Sequence, residues 1–579
     1  SNALAITDRD GLYGAIKHIG ACVKLGLSPI IGVELVVIDE SVSISNRVSH
    51  TERGRVVVLA HGSANAAAPS ARDQTGWAKL CRVVSAAQAR RGNARGVSNK
   101  RENPVAIRAN ELAELLAEGG CTVLLTSDSD LGRAVTAADR EAAESALTSW
   151  KKLLPQPGVL AVELVSHLTE PGSDRSSVQA RRLLQLADHL NVPAVLTNAV
   201  RYLLPDDALT ADVLDAARHL EPLGMFETQP NAQAWLKPPV AMEALAFEIA
   251  DDANRARLLL DTTARLAERC RLDPVRDCDW GKPKTPEKAA LGIEGNPFEM
   301  LWQKAQEGIE WRYGDLRGER LAKVQHRLNQ ELITINKLGF ATYFLTVADV
   351  AQMIRDMRIR IAARGSGAGS LVNYLLGISG VDPVEQDLLF ERFLSTERTS
   401  LPDIDIDVES ARRHDIYRAI FKRYGADRVT LLSMQSTYRG RGAMRDSGLA
   451  LGLEDDQIDQ IAKNMWRFSA SSFRGALESK PELAEFAEAV EADRRMNLLV
   501  DITERLDRLP RHISMHPCGV ILGDSNLLHL TSVEPSGMGL PMSQFDKDDM
   551  DPMGFLKLDV LGVRMQSAMA YAVGEIERV

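Results

Sequence analysis

Residues 401–408 read LPDIDIDV, so that Asp403, Asp405 and Asp407 alternate with Ile404, Ile406 and Val408. On a strand this period of two puts three carboxylates on one face and the aliphatic side chains on a core. Same-face neighbours lie roughly 6.6 Å apart at about 3.3 Å rise per residue, so two carboxylates can lean onto a shared pair of cations. Two-metal phosphoryl transfer needs ions about 3.5–4 Å apart, and Mg²⁺ prefers carboxylate and water oxygens. Alternating charge ordinarily means a solvated strand face. Three like charges side by side, however, repel unless a cation neutralises them. A calcium-binding EF-hand loop would need a glycine and a distant glutamate that this stretch lacks.

Upstream, ARGSGAGS (Ala363 to Ser370) precedes the apolar helix pattern SLVNYLLG. Glycines let a backbone approach a phosphate closely, and amides at the start of the following helix supply donors. Arg364 adds charge and Ser366 and Ser370 add hydroxyls. The loop lacks the GK[ST] ending of a Walker loop and the spacing of a dinucleotide fingerprint, which leaves a flexible turn or a nucleoside triphosphate site. Downstream, FLKLDVLG puts Lys557 and Asp559 on one strand face and Leu556, Leu558 and Val560 on the other.

The rest of the chain sets the frame. At 579 residues it exceeds a single core, and about 150 residues per domain gives three or four. Hydrophobic residues at 45% and charged residues at 26% exclude wholesale disorder. No apolar run approaches the roughly 18 residues of a membrane span, and no export signal opens the chain, so a cytoplasmic protein without membrane partners is expected. The six cysteines show neither paired nor zinc-ligand spacing and read as free thiols. A net charge of -10 opposes nucleic-acid binding if spread evenly. Basic residues are nonetheless dense from Arg412 to Arg428 and at Arg439, Arg441 and Arg445.

From Leu4 to about Asp273, short apolar strands alternate with amphipathic helices, as a barrel or an open parallel sheet would require. Lys282 to Pro297 reads as a linker. A second α/β unit starts near Phe298 and is interrupted from about Thr437 to Leu509 by a charged helical insertion. Ser1-Asn2-Ala3 reads as a vector-derived start, with part of a native N-terminus expected upstream.

The run from Ala363 to Asp407, together with NKLGFATYFLTVADV (Asn336 to Val350), RYGADRVTLLSMQSTYRGRGAMRD (Arg423 to Asp446) and MSQFDKDDMDPMGFLKLDVLGVR (Met542 to Arg564), closely resembles the alpha subunit of bacterial DNA polymerase III. LAITDRDGLYGAIKH and VPAVLTNAVRYLLPDDA are similar to that family's PHP domain. The resemblance implies a multidomain α/β chain: a PHP-type βα barrel (1–285), a polymerase-beta-like nucleotidyltransferase palm (286–436 and 511–579, the latter reaching the start of the fingers) and a small helical thumb (437–510). It implies that Asp405, Asp407 and Asp559 hold two Mg²⁺ ions, with Asp403 structural and Lys557 beside the reacting phosphate. Arg364, Gly365, Ser366, Gly367, Gly369, Ser370, Arg392 and Arg398 would bind the deoxynucleoside triphosphate, and Arg439, Arg441 and Arg445 the primer-template DNA. A sliding clamp and accessory replisome or mutagenesis proteins would bind regions beyond Val579.

Two departures refine the resemblance. Where metal-loaded PHP domains show TDH and NDVH, this chain has Arg9 after Asp8, and Ala199 and Arg201 in TNAVRY, and a leading HxH is missing. Guanidinium is a poor metal ligand because it stays protonated. Asp8, Glu163 and His167 are too few for a trinuclear site, so a structural or interaction role without metal-dependent exonuclease activity is expected. LPRHISMHPCGVIL (Leu509 to Leu522) looks more like the error-prone paralogue than the replicative subunit, with a replicative role and a non-catalytic scaffold as the alternatives, and His512 and His516 read as polar groups near DNA rather than a metal pair.

Overall fold

The aliphatic runs of the first third become strands because they have a core on both sides. A computed structural model describes residues 2–42, 48–64, 75–92, 105–395, 397, 401–463, 465 and 469–579. In it β1 (Ala3–Arg9), β2 (Ser28–Val42), β3 (Val48–Ala60), β4 (Ala106–Arg108), β5 (Cys121–Ser129), β6 (Leu160–Leu164) and β7 (Ala194–Leu196) form one sheet, ordered β1-β2-β3-β5-β6-β7, with β4 on β2. β5 and β6 are buried almost throughout, as expected of strands covered on both faces. The sheet departs from the expected barrel. β3 runs antiparallel to both β2 and β5, and among the described residues β1 and β7 do not pair with each other, so the sheet stays open. The three-residue β7 has few ladder bonds to offer, and β1 has no fully buried residue along its length.

The second sheet comprises β8 (Ile361–Arg364), β9 (Asp405–Glu409), β10 (Val429–Thr437), β11 (Pro510–Leu522), β12 (Val533–Pro535), β13 (Pro541–Asp546) and β14 (Leu556–Val563), ordered β12-β13-β10-β11-β14-β9-β8. One face buries Ile406, Val408, Leu558 and Val560 among the helices Pro297–Tyr313, Glu319–Leu338, Ala341–Asp356 and Arg413–Tyr424. Among the described residues five α-helices between Gly440 and Arg505 fill the connection from β10 to β11 around a separate core that includes Met444, Phe473 and Leu499. This matches the helical insertion read from composition.

The opposite face of the second sheet meets the first domain. Leu432, Ile521 and Phe545 join the same core as Trp77 and Leu80. Trp77 donates its Nε1–H to the Leu530 carbonyl (3.2 Å) and stacks on Phe545 at 6.0 Å. The Leu12 amide donates to Gln544 Oε1 (2.9 Å), and Lys17 pairs with Asp546 (3.1 Å) and Asp549 (3.3 Å). The stretch read as a linker is part of this seam. Lys284 is buried and donates to the backbone carbonyls of Asp279 (2.9 Å), Lys282 (3.0 Å) and Met553, while Glu287 accepts from Arg428 (2.8 Å) and the Ser525 amide (2.7 Å). Its Pro-, Lys- and Gly-rich composition conceals this because Lys284 spends its charge on carbonyls, which leave no mark in sequence.

Because one core spans both sheets, Trp77→Ala is expected to cost about 3–5 kcal/mol. Hydrogen exchange should then speed up in β13 as well as in the helix Gly76–Gly92; faster exchange confined to that helix would show that the sheets are independent.

Candidate active site

Three strands assemble the acidic face. Pro402 stands just before β9, where its missing N–H costs no ladder bond, and its carbonyl accepts from the buried Tyr343 hydroxyl. β9 and β14 pair in parallel with Asp405 opposite Asp559 and Asp407 opposite Leu561. Register partners lie about 4.8 Å apart and point to the same face, so carboxylates more than 150 positions apart in sequence become neighbours. Asp403 falls outside the strand, largely exposed, 3.8 Å from Lys557 Nζ.

Two cations sit on these carboxylates. Lys557 Nζ is 3.0 Å from Asp559 Oδ2, and Arg364 Nη2, brought by β8, is 3.2 Å from Asp407 Oδ1. Burial works against the Lys557 ammonium, yet Asp559, Asp403 and Asp405 outweigh it and raise its pKa. The Asp405 carboxyl is pushed up by burial first and then by the charges of Asp559 and Asp403. Asp407 Oδ1 and Asp559 Oδ1 are buried without a hydrogen-bond partner; the Arg364 contact is close in distance but not aligned as a bond. Among the described residues no group of three or more His, Cys, Asp or Glu side chains is placed to hold a metal ion. The donor set nevertheless suits a hard divalent cation: oxygen-only ligands, with two buried oxygens lacking a proton donor.

The glycine loop divides into an exposed tip and a buried base. Arg364, Gly365 and Ser366 are exposed, and Gly365 takes the left-handed φ of 77° beside Asp405. Ser370 instead points inward: its hydroxyl caps the Asn373 amide and donates to Glu331 Oε2 (2.9 Å). The fully buried Glu331 also accepts the Leu371 (3.0 Å) and Val372 (3.1 Å) amides and pairs with Arg327 (2.7 Å). The helix N-terminus expected to meet a phosphate is thus already satisfied by a side chain. Gly367 and Gly369 are likewise buried, their carbonyls accepting from Asn373 (2.9 Å) and Arg327 (3.0 Å).

Arg392 is exposed on the turn Phe390–Arg392, and Arg398 lies outside the described residues. Arg439, Arg441 and Arg445 are exposed at the start of the helical insertion, where Arg445 pairs with Asp459 (2.5 Å). His512 and His516 lie on β11, where four residues of strand span about 13 Å, too far to share an ion. His516 instead comes near Asp559, Lys557 and Lys547, and burial lowers its pKa. Sequence spacing singled out this histidine but gave no hint that a bulge would bring it near Asp559 and Lys557.

Residues 299–562 match the bacterial DNA polymerase III alpha NTPase domain, and residues 1–167 match the PHP domain. The chain belongs to the bacterial DNA polymerase III alpha family. It is 31% identical over 645 residues to an error-prone DNA polymerase of Anaeromyxobacter sp. (strain K), covering 100% of this chain and 53% of that protein. It is 32% identical over 576 residues to the error-prone DNA polymerase of Pseudomonas aeruginosa, covering 98% of this chain and 48% of that one. The chain spans about half the length of the curated relatives it matches.

Of the residues that depart from the metal-binding PHP motifs, Arg9 and Arg201 are held in ion pairs, and Arg55 and Arg175 are paired nearby. Arg9 meets Glu34 (3.0 Å), Arg55 meets Asp10 (3.1 Å), Arg175 meets Asp128 (3.2 Å) and Arg201 meets Asp215 (2.7 Å). Asp8 accepts the Gly14 amide (2.6 Å), and His167 Nε2 bonds the Asn198 carbonyl (2.9 Å). Burial holds His167 down at about 4 and pushes Glu163, which accepts from Thr197 (2.7 Å), up to about 7. Between its ordinary 4.5 and about 7, Glu163 holds its proton in the fold and releases it on unfolding. Its contribution to stability is therefore lost as pH rises through that window. Glu163→Gln is expected to flatten this decline and to raise the melting temperature relative to the parent more at pH 8 than at pH 5. Parallel melting curves at the two pH values would contradict it.

Proposed function

We propose that this chain carries the nucleotidyl-transfer centre of an error-prone DNA polymerase. In this reading 1–285 is the PHP region, 286–436 with 511–579 a polymerase-beta-like palm, and 437–510 the thumb. The observation that carries it is the register pairing of Asp405 with Asp559, with Asp407 next along β9 and buried, unpartnered oxygens on Asp407 and Asp559. Like charges so placed destabilise a fold unless a cation is their purpose.

Asp405, Asp407 and Asp559 would hold two Mg²⁺ ions, which when bound lower the pKa of an attacking hydroxyl and neutralise developing phosphate charge. Lys557 and Arg364 already reach two of these carboxylates, Asp559 and Asp407. Released from the carboxylates, they face the triphosphate as counter-charges, Arg364 through planar bidentate contacts and Lys557 as a point charge. The exposed tip Arg364–Ser366 contributes backbone and hydroxyl donors, with Arg392 beyond it, whereas Ser370 and Glu331 hold the loop's base rigid. The primer 3′-hydroxyl then attacks the α-phosphorus in line and pyrophosphate leaves. Exposed Arg439 and Arg441 contact the primer-template backbone, and base pairing with the template selects the nucleotide.

In a chain carried to the full length of its relatives, Asp405→Asn and Asp407→Asn are each expected to reduce Mg²⁺-dependent primer extension on the order of 10²-fold or more, with binding of the primed duplex retained. Extension at the parental rate by either variant would remove the carboxylates from the chemistry.

A further inference from the structure

β11 is bulged beside the carboxylates. Leu431 pairs with Val520 and Ser433 with Met515, so His516, Pro517, Cys518 and Gly519 stand opposite Leu432 alone. The bulge is pinned from several sides. The Tyr417 hydroxyl donates to the Pro517 carbonyl (3.2 Å), and Leu432 fills the space where a side chain at 519 would go, 2.4 Å from an added Cβ. Gly519 meanwhile remains in register with Asp559 on β14. Bulges re-aim side chains, and they concentrate next to active sites.

Here the re-aimed side chain is His516. Its Nδ1 accepts the amides of Gly519 (3.1 Å) and Cys518 (3.4 Å). A nitrogen that accepts carries no proton, so the neutral ring bears its proton on Nε2. That Nε2–H has no hydrogen-bond partner among the described residues, and the ring's charged neighbours are Asp559, Lys557 and Lys547. The fold thus fixes both the tautomer and the direction of a donor and provides nothing to receive it.

We propose that His516 donates its Nε2–H to a phosphate oxygen of the substrate beside Asp559. This rests on the nucleotidyl-transfer reading above and adds to it a neutral donor. A neutral donor suits the place, because another full positive charge there would compete with the ions for the carboxylates. The phosphate belongs either to the incoming nucleotide or to the DNA backbone.

Two substitutions separate this role from capping of the bulge. In His516→Gln the amide nitrogen occupies the place of Nε2 and preserves the donor, whereas in His516→Asn the amide oxygen occupies the place of Nδ1 and preserves the cap alone. Parent and variants would be titrated with deoxyadenosine triphosphate and Mg²⁺ in one arm and with a primed DNA duplex in the other. Asn is expected to weaken one arm on the order of 10-fold, the value of a hydrogen bond to a charged group, and Gln to stay near the parent. Weakening of the nucleotide arm identifies the triphosphate as acceptor, and weakening of the duplex arm identifies the backbone. If Gln holds no advantage over Asn in either arm, His516 only caps the bulge and the proposal is overturned. If the parent itself binds in neither arm, the nucleotidyl-transfer reading fails and the proposal falls with it.

Discussion

Side-by-side carboxylates on β9 and β14 are the constraint that the rest of this chain is arranged to satisfy. Two half-buried acids at adjacent register positions repel each other and lose hydration, and both effects raise the pKa of Asp405. The fold offsets this with Lys557 on the same strand as Asp559 and with Arg364 on the neighbouring strand β8. The arrangement is compact: β8, β9 and β14 supply Arg364, Asp405, Asp407, Lys557 and Asp559, Asp403 stands just before β9, and β11 adds His516.

Rigidity around this centre comes from two buried devices. Glu331 ties the base of the glycine loop to the helix Glu319–Leu338 through the Ser370 hydroxyl and two backbone amides, so only the loop's tip remains open. The PHP domain backs the other end of the same sheet face, where Leu432 and Ile521 enter its core. Ile521 is the register partner of Lys557, and Gly519 that of Asp559. A disturbance of the PHP seam is therefore two residues along β11 from the carboxylates. The first domain also carries arginine–carboxylate pairs at Arg9, Arg55, Arg175 and Arg201.

Local features were legible in the sequence and long-range ones were not. The period of two in LPDIDIDV gives β9 its faces without any other information. The helical insertion showed itself by composition. Nothing local says that Asp559 will lie against Asp405, since that depends on β14 inserting between β11 and β9. Ser370 reads as a phosphate donor until Glu331, 39 positions upstream, is found to accept from it. Lys284 reads as linker charge because its partners are carbonyls, and His516 reads only as a polar group near DNA because a bulge has no sequence signature beyond Gly519. The residue pattern left a barrel and an open parallel sheet as alternatives, and the mixed strand direction went unread because the antiparallel β3 looks like any other apolar run.

The most direct test of the carboxylate centre is calorimetric titration of Mn²⁺, as a surrogate for Mg²⁺, into the parent chain and into Asp559→Asn, without nucleotide or DNA. Binding by the parent that is abolished or weakened on the order of 10-fold or more in the variant is the result the account predicts, since one of the ligating oxygens is lost. Equal binding by both chains, or none by the parent at millimolar Mn²⁺, would contradict it, leaving Lys557 and Arg364 as permanent partners of three structural acids.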